Sequence, residues 1–145
     1  MSVKPNELIK MQREKLALTE VDVAKQVGLS IHEYADIEQH EDELFTVTHL
    51  GEVRKLCDLL NIEICDLLGL DCSLVTGKHI KPNKLVHDKR ISLELSKAQL
   101  ADKIGFETLV IDQIENDAGF LEGWSFELIK ELAMAINEPV ENLIV

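Results

Sequence analysis

The chain has 145 residues, with 15 Lys and Arg against 27 Asp and Glu, and carries a formal charge of −12 at pH 7. Seven Gly, three Pro and 4% aromatic residues beside 46% hydrophobic ones favour helices over a sheet-rich fold. No run approaches the roughly 18 apolar residues of a membrane span, and the first residues, Met1 to Glu7, hold no apolar signal-peptide core; a cytoplasmic protein without membrane association is expected.

Taken in chain order, Leu8, Ile9 and Leu16 predict a first helix that carries Arg13 on one side. Thr19 then caps a second helix, whose buried stripe is expected to be Val21, Val23, Ala24 and Val27. Gly28 supplies the left-handed turn that ends it. Ser30 and Glu33 form an S-x-x-E capping box at the start of a third helix through Tyr34 and Ile37. A polar loop with His40, Glu41, Asp42 and Glu43 follows, then helices around Leu50 to Leu60 and Ile64 to Leu68. Residues 71–83, with Gly77, Lys78, Lys81 and Pro82, read as a linker, and Lys84 lies just beyond. After it, Ser96 and Gln99 make another capping box, Ala98, Leu100, Ala101 and Ile104 a second stripe, and Gly105 a second stop. A helix from Thr108 to Glu115, a loop at Asn116 to Gly119, a helix from Phe126 to Ile136 and a last helix with Pro139 in its first turn complete the chain.

These elements are one pattern written twice. Arg13, Leu16, Leu18-Thr19, Ala24, Gly28 and Ile37-Glu38 return 77 residues later as Arg90, Leu93, Leu95-Ser96, Ala101, Gly105 and Ile114-Glu115. Past a one-residue deletion, Val53, Leu56, Leu60-Asn61, Ile64 and Leu67 meet Ile129, Leu132, Ile136-Asn137, Val140 and Leu143. A period this long means two copies of a compact domain, not a solenoid, which needs shorter and more numerous units. The expected domains are residues 6–70 and 84–145, each of five helices, so the fold class is all-α.

The repeated residues resemble the Cro/XRE family of lambda-repressor-like helix-turn-helix domains. The signature reads Thr19, Val23-Ala24, Gly28-Leu29 and Ile37-Glu38 in the first copy, and Ser96, Leu100-Ala101, Gly105-Phe106 and Ile114-Glu115 in the second. The resemblance implies that Arg13 pairs with Glu38 and Arg90 with Glu115, both 25 residues apart, as structural ion pairs suited to the bidentate guanidinium. It also implies a prokaryotic or phage transcriptional regulator, a repressor whose third helix enters the major groove of double-stranded DNA. His32, Lys97, Thr108 and Gln113 are then the candidate DNA contacts, supported by the linker lysines.

Base edges and phosphates are read by cations and amides, yet neither third helix contains Lys or Arg. Ile31, His32, Glu33, Ala35 and Asp36 stand on one, and Thr108, Leu109, Val110, Asp112 and Gln113 on the other. The alternative is therefore a helix-turn-helix scaffold turned to protein recognition, as in an antitoxin, immunity or anti-repressor protein, or to a homodimer. Leu109 and Val110 are adjacent and cannot both face inward, so one presents apolar surface. The lone Trp124, with Phe120 and Phe126 nearby, either anchors an interface or seals the small core.

Glu41-Asp42-Glu43 lies on a polar stretch with no apolar pocket, which reads as solvated charge. No phosphate loop, nucleophile elbow or H-E-x-x-H occurs, so neither enzyme activity nor a cofactor is expected. The odd number of cysteines, Cys57, Cys65 and Cys72, argues against a disulfide framework, and the five His show no zinc-site spacing.

Overall fold

A computed structural model describes residues 3–75 and 80–145. Every regular element among them is helical. The chain divides into two compact units, Met1–Leu70 and Asp71–Val145. The first holds α1 (Pro5–Lys15), α2 (Glu20–Val27), α3 (Ile31–Gln39), a one-turn α4 (Glu43–Thr46), α5 (Leu50–Leu60) and α6 (Ile64–Leu68). The second holds α7 (Pro82–Ser92), α8 (Lys97–Ile104), α9 (Thr108–Asn116), α10 (Phe126–Ala135) and α11 (Glu141–Ile144), with short 3-10 turns at Cys72–Leu74 and Phe120–Gly123. The stretch expected to be a linker thus contains a 3-10 turn and the first residues of α7, while Gly77 and Lys78 lie outside the described residues. The loop expected at His40 to Glu43 runs into α4.

Local chemistry explains why the second and third helices stand apart as a turn. The backbone N–H of Asp22 donates to Thr19 Oγ1, and the Asp22 carboxylate accepts from Thr19 N, closing a reciprocal box. That pair of contacts holds the Asp22 carboxyl below its usual range. Ser30 with Glu33 and Ser96 with Gln99 do the same at the starts of α3 and α8. Gly28 (φ +87°) and Gly105 (φ +76°) occupy the left-handed region at the ends of α2 and α8, where any side chain would be strained.

Each core is the inward face of the same residues. Ile9 and Val86, Val23 and Leu100, Ile37 and Ile114, Val53 and Ile129, Leu56 and Leu132, Leu60 and Ile136, Leu67 and Leu143 are all buried. In the first unit α2 packs on α3 and α5, and α1 on α3, α5 and α6; in the second α8 packs on α9 and α10, and α7 on α9 and α11. Two stripe residues depart from the expectation. Val21 is 55% exposed and Ala98 is exposed, because each sits two positions, about 200° of helix, from the fully buried Val23 or Leu100. Cys57 is buried and is the free thiol, and burial pushes its pKa up to about 11. Cys65 and Cys72 are disulfide-bonded, although the odd count argued against a disulfide framework. Because disulfides persist in oxidising compartments, the cysteines lend no support to a cytoplasmic location. Among the described residues no helix is long and apolar enough to cross a membrane.

The chain leaves α1 and α7 through non-glycine residues in the left-handed region, Ala17 (φ 57°) and Glu94 (φ 56°). Leu18 N and Leu95 N then reach back to the carbonyls of Arg13 and Arg90 at 3.1 Å, a helix-ending turn that favours glycine. Relief of the left-handed cost exceeds the extra chain entropy of glycine. Ala17→Gly and Glu94→Gly are each expected to stabilise their unit by roughly 0.5 kcal/mol and to raise the thermal midpoint by a few degrees. Calorimetry showing a lowered midpoint for both would contradict this account.

Candidate functional site

The exposed faces of α3 and α9 and the N-termini of α2 and α8 form the candidate recognition surface of each unit. The repeated ion pairs hold these helices in place. Arg13 donates from Nε to Glu38 Oε2 at 2.7 Å and from Nη2 to Oε1 at 3.0 Å, while Nη1 donates to the Leu18 carbonyl at 3.0 Å. Arg90 repeats the fork on Glu115 at 2.7 and 3.0 Å and reaches the Leu95 carbonyl at 2.9 Å. The guanidinium thus fastens the first helix both to the end of the third and to the strained turn before the second. All four side chains are nearly buried, and Glu38 raises the Arg13 pKa against the opposing effect of burial.

A further residue joins each clasp. Asn6 donates to the Glu38 carbonyl at 3.1 Å, and Asn83 to the Glu115 carbonyl at 3.3 Å. Sequence reasoning passed over both, although the signal was present. Lys4-Pro5-Asn6 recurs as Lys81-Pro82-Asn83 at the same 77-residue offset, so the repeat begins earlier than residues 6 and 84. In the second unit only, a histidine adds to the clasp: His87 Nδ1 lies 2.7 Å from Glu115 Oε1, where the first copy has Lys10 at the matching position. Burial pushes Glu115 up, but Arg90 and His87 outweigh it and hold the carboxyl below its usual range.

The candidate DNA contacts fare unequally. His32, Thr108 and Gln113 are exposed on α3 and α9. Lys97, the first residue of α8, bonds through Nζ to Asp112 Oδ1, with both side chains 39% exposed. Its charge is therefore matched by a carboxylate of α9 itself. Nothing in the spacing signalled this, because the partners sit on different helices. In the first unit Glu33 is occupied by the Ser30 backbone at 3.2 Å, and Glu20 lies 3.8 Å from Arg13. Among the described residues α3 and α9 carry no Lys or Arg, and Asp36 faces solvent.

The candidate protein-interface residues separate as well. Leu109 is 62% exposed, whereas Val110 is half-buried. Trp124 is only 8% exposed. It stacks on Phe106 at 5.0 Å between centroids and meets Phe120 edge-on at 6.2 Å, so it seals the core and does not present itself as a surface anchor. A shallow groove runs along α9 beside it, lined by Leu109, Asp112, Gln113, Asn116, Asp117 and Phe120.

Comparison with protein-family models, curated proteins and solved structures gives no match to the chain. Its function is accordingly read from the chemistry of these surfaces.

Proposed function

We propose that the chain is a regulatory protein built from two lambda-repressor-like helix-turn-helix units, whose third helices recognise a protein partner instead of a DNA duplex. An antitoxin, immunity protein or anti-repressor is the kind of protein this reading points to. The observation that carries the reading is the Lys97–Asp112 pair beside the bare apolar side chain of Leu109. A helix entering a major groove meets phosphate on both sides, and its affinity comes largely from neutralising that charge. Here the surface offers carboxylates and one cation already matched, on a chain of charge −12. An exposed leucine on the same face gains from apolar contact with a protein and little from a phosphate backbone.

The second reading, a Cro/XRE-type repressor on double-stranded DNA, draws on the exposed His32, Thr108 and Gln113, two of them on the better-placed α9. An electrophoretic shift with mixed-sequence duplex at low salt separates the two. Wild-type protein is expected to leave the duplex unshifted at micromolar concentration, the range in which ordinary non-specific binders act. Asp112→Asn frees Lys97 and is expected to bring weak, salt-sensitive binding into view. A clear shift by the wild type, diminished by Lys97→Ala and Gln113→Ala, would establish the DNA reading in its place.

A further inference from the structure

We infer that the α9 groove takes a basic amphipathic helix, with an apolar side chain seated between Leu109 and Phe120 and a Lys or Arg reaching Asp117 and Asp112. The inference deepens the protein-recognition reading and rests on it. The groove's floor and walls come from one helical register. Leu109, Asp112, Gln113 and Asn116 are spaced i, i+3, i+4 and i+7 and so share one face of α9. Phe120, half-buried on the following 3-10 turn, closes the far side. Leu109, at 62% exposure, is among the most exposed large apolar residues of the unit, and covering it with an apolar side chain removes that surface from water.

Charge selects the occupant. Asp117 uses Oδ1 to accept from Gly119 N at 2.9 Å, and Asp112 uses Oδ1 for Lys97. The second oxygen of each remains as an acceptor, but Lys97 already matches the Asp112 charge, so Asp117 supplies the unmatched charge for an incoming cation. Gln113 and Asn116, both exposed between them, add amides that can pair with a guanidinium or a backbone carbonyl. A second copy of this chain would bring −12 of like charge to the contact, and a duplex would bring phosphates. A helix in a groove offers apolar anchors at i, i+3 or i+4 with cations on the flanks, which meets every group on this surface.

The first unit provides an internal control. At the matching positions it has His32, Ala35, Asp36, Gln39 and His40, so the apolar anchor is absent. The Leu109 anchor is therefore particular to the second unit and does not follow from the scaffold. Leu109→His installs the residue that the first copy carries in the same exposed position, where it is compatible with the fold.

The test is a titration of the isotope-labelled full chain with a synthetic amphipathic helix of Leu and Lys, followed by NMR. A Leu and Glu peptide and a mixed-sequence duplex are the comparisons. The Leu/Lys peptide is expected to shift the amides of residues 109, 113, 116, 117 and 120. Leu109→His is expected to weaken its binding about tenfold or more with the thermal midpoint unchanged, whereas Met134→Ser, at an exposed site on α10, leaves it unaltered. Absence of Leu/Lys binding, or binding that Leu109→His leaves intact, overturns the groove while the protein-recognition reading stands. Equal or tighter binding of the Leu/Glu peptide overturns the choice of partner. Displacement of the peptide by duplex, with the same amides shifting, overturns the groove's role and the reading beneath it together.

Discussion

Arg13→Ala and Arg90→Ala are each expected to destabilise their own unit by about 3 to 5 kcal/mol, the usual result of leaving one member of a buried pair without its counter-charge. The carboxylates of Glu38 and Glu115 have only 4% and 5% of their side chains exposed, so water cannot replace the guanidinium, although Glu115 keeps its contact with His87 and the loss in the second unit falls at the lower end of that range. The freed carbonyls of Leu18 and Leu95 lose a donor in the same substitution. Small domains have only about 5 to 15 kcal/mol of stability in total, so each variant approaches the threshold of unfolding. Urea titration followed by circular dichroism measures the loss, and an unchanged midpoint for both variants would refute the structural role of the pairs. Removing both charges together, as in Arg13→Met with Glu38→Gln, is expected to cost clearly less than the single change.

The second pair also fixes a pH dependence. Glu115 is held below its usual value in the folded state, so its ionised form is stabilised by folding. That contribution is complete above the ordinary carboxylate value of 4.5 and fades as the pH falls from there through the lower folded value. The second unit should therefore weaken on acidification below about pH 4.5, with a smaller slope in Glu115→Gln.

Trp124→Ala is expected to cost the second unit about 3 to 5 kcal/mol, as for other large aromatic residues removed from a core. Only 8% of the residue is exposed, and its ring stacks on Phe106 and meets Phe120, so the change leaves a cavity and breaks both ring contacts. Phe120 also borders the α9 groove, which makes Trp124 a support for that surface from within. Trp124→Phe should recover a large part of the loss. Because the chain has a single Trp, its fluorescence reports the unfolding of the second unit alone and gives the unperturbed reference curve. Full stability in Trp124→Ala, with loss only of partner binding, would return this residue to the surface.

Much of the local architecture was legible in the residues. Thr19, Ser30 and Ser96 start helices because their hydroxyls and the side chains three positions on satisfy free backbone donors, a transaction completed within four residues. Gly28 and Gly105 end helices because of their own φ angles. The ion pairs were legible for a different reason: Arg13 and Glu38, far apart in sequence, were marked by recurring at the same separation as Arg90 and Glu115. The same signal ran through Asn6 and Asn83 and was read too late along the chain.

What lay beyond the sequence were outcomes of competition between neighbours in space. Periodicity gives a helix a face without saying how far around it the neighbours reach, so Val21 was assigned inward although more than half of it is exposed. Lys97 is a cation on paper, and only the packing of α8 on α9 sets it against Asp112 and cancels the charge that a phosphate contact would need. The sequence required one of Leu109 and Val110 to present apolar surface, and left Trp124 as either an interface anchor or a seal of the core. Phe106 and Phe120 close over the tryptophan and leave the leucine bare. The sequence by itself determined the helices, their caps and their duplication, because those rest on contacts within a turn or on repetition. Which charges stay free and which apolar side chain faces solvent was decided by the tertiary structure, because burial and pairing belong to whatever arrives from another helix.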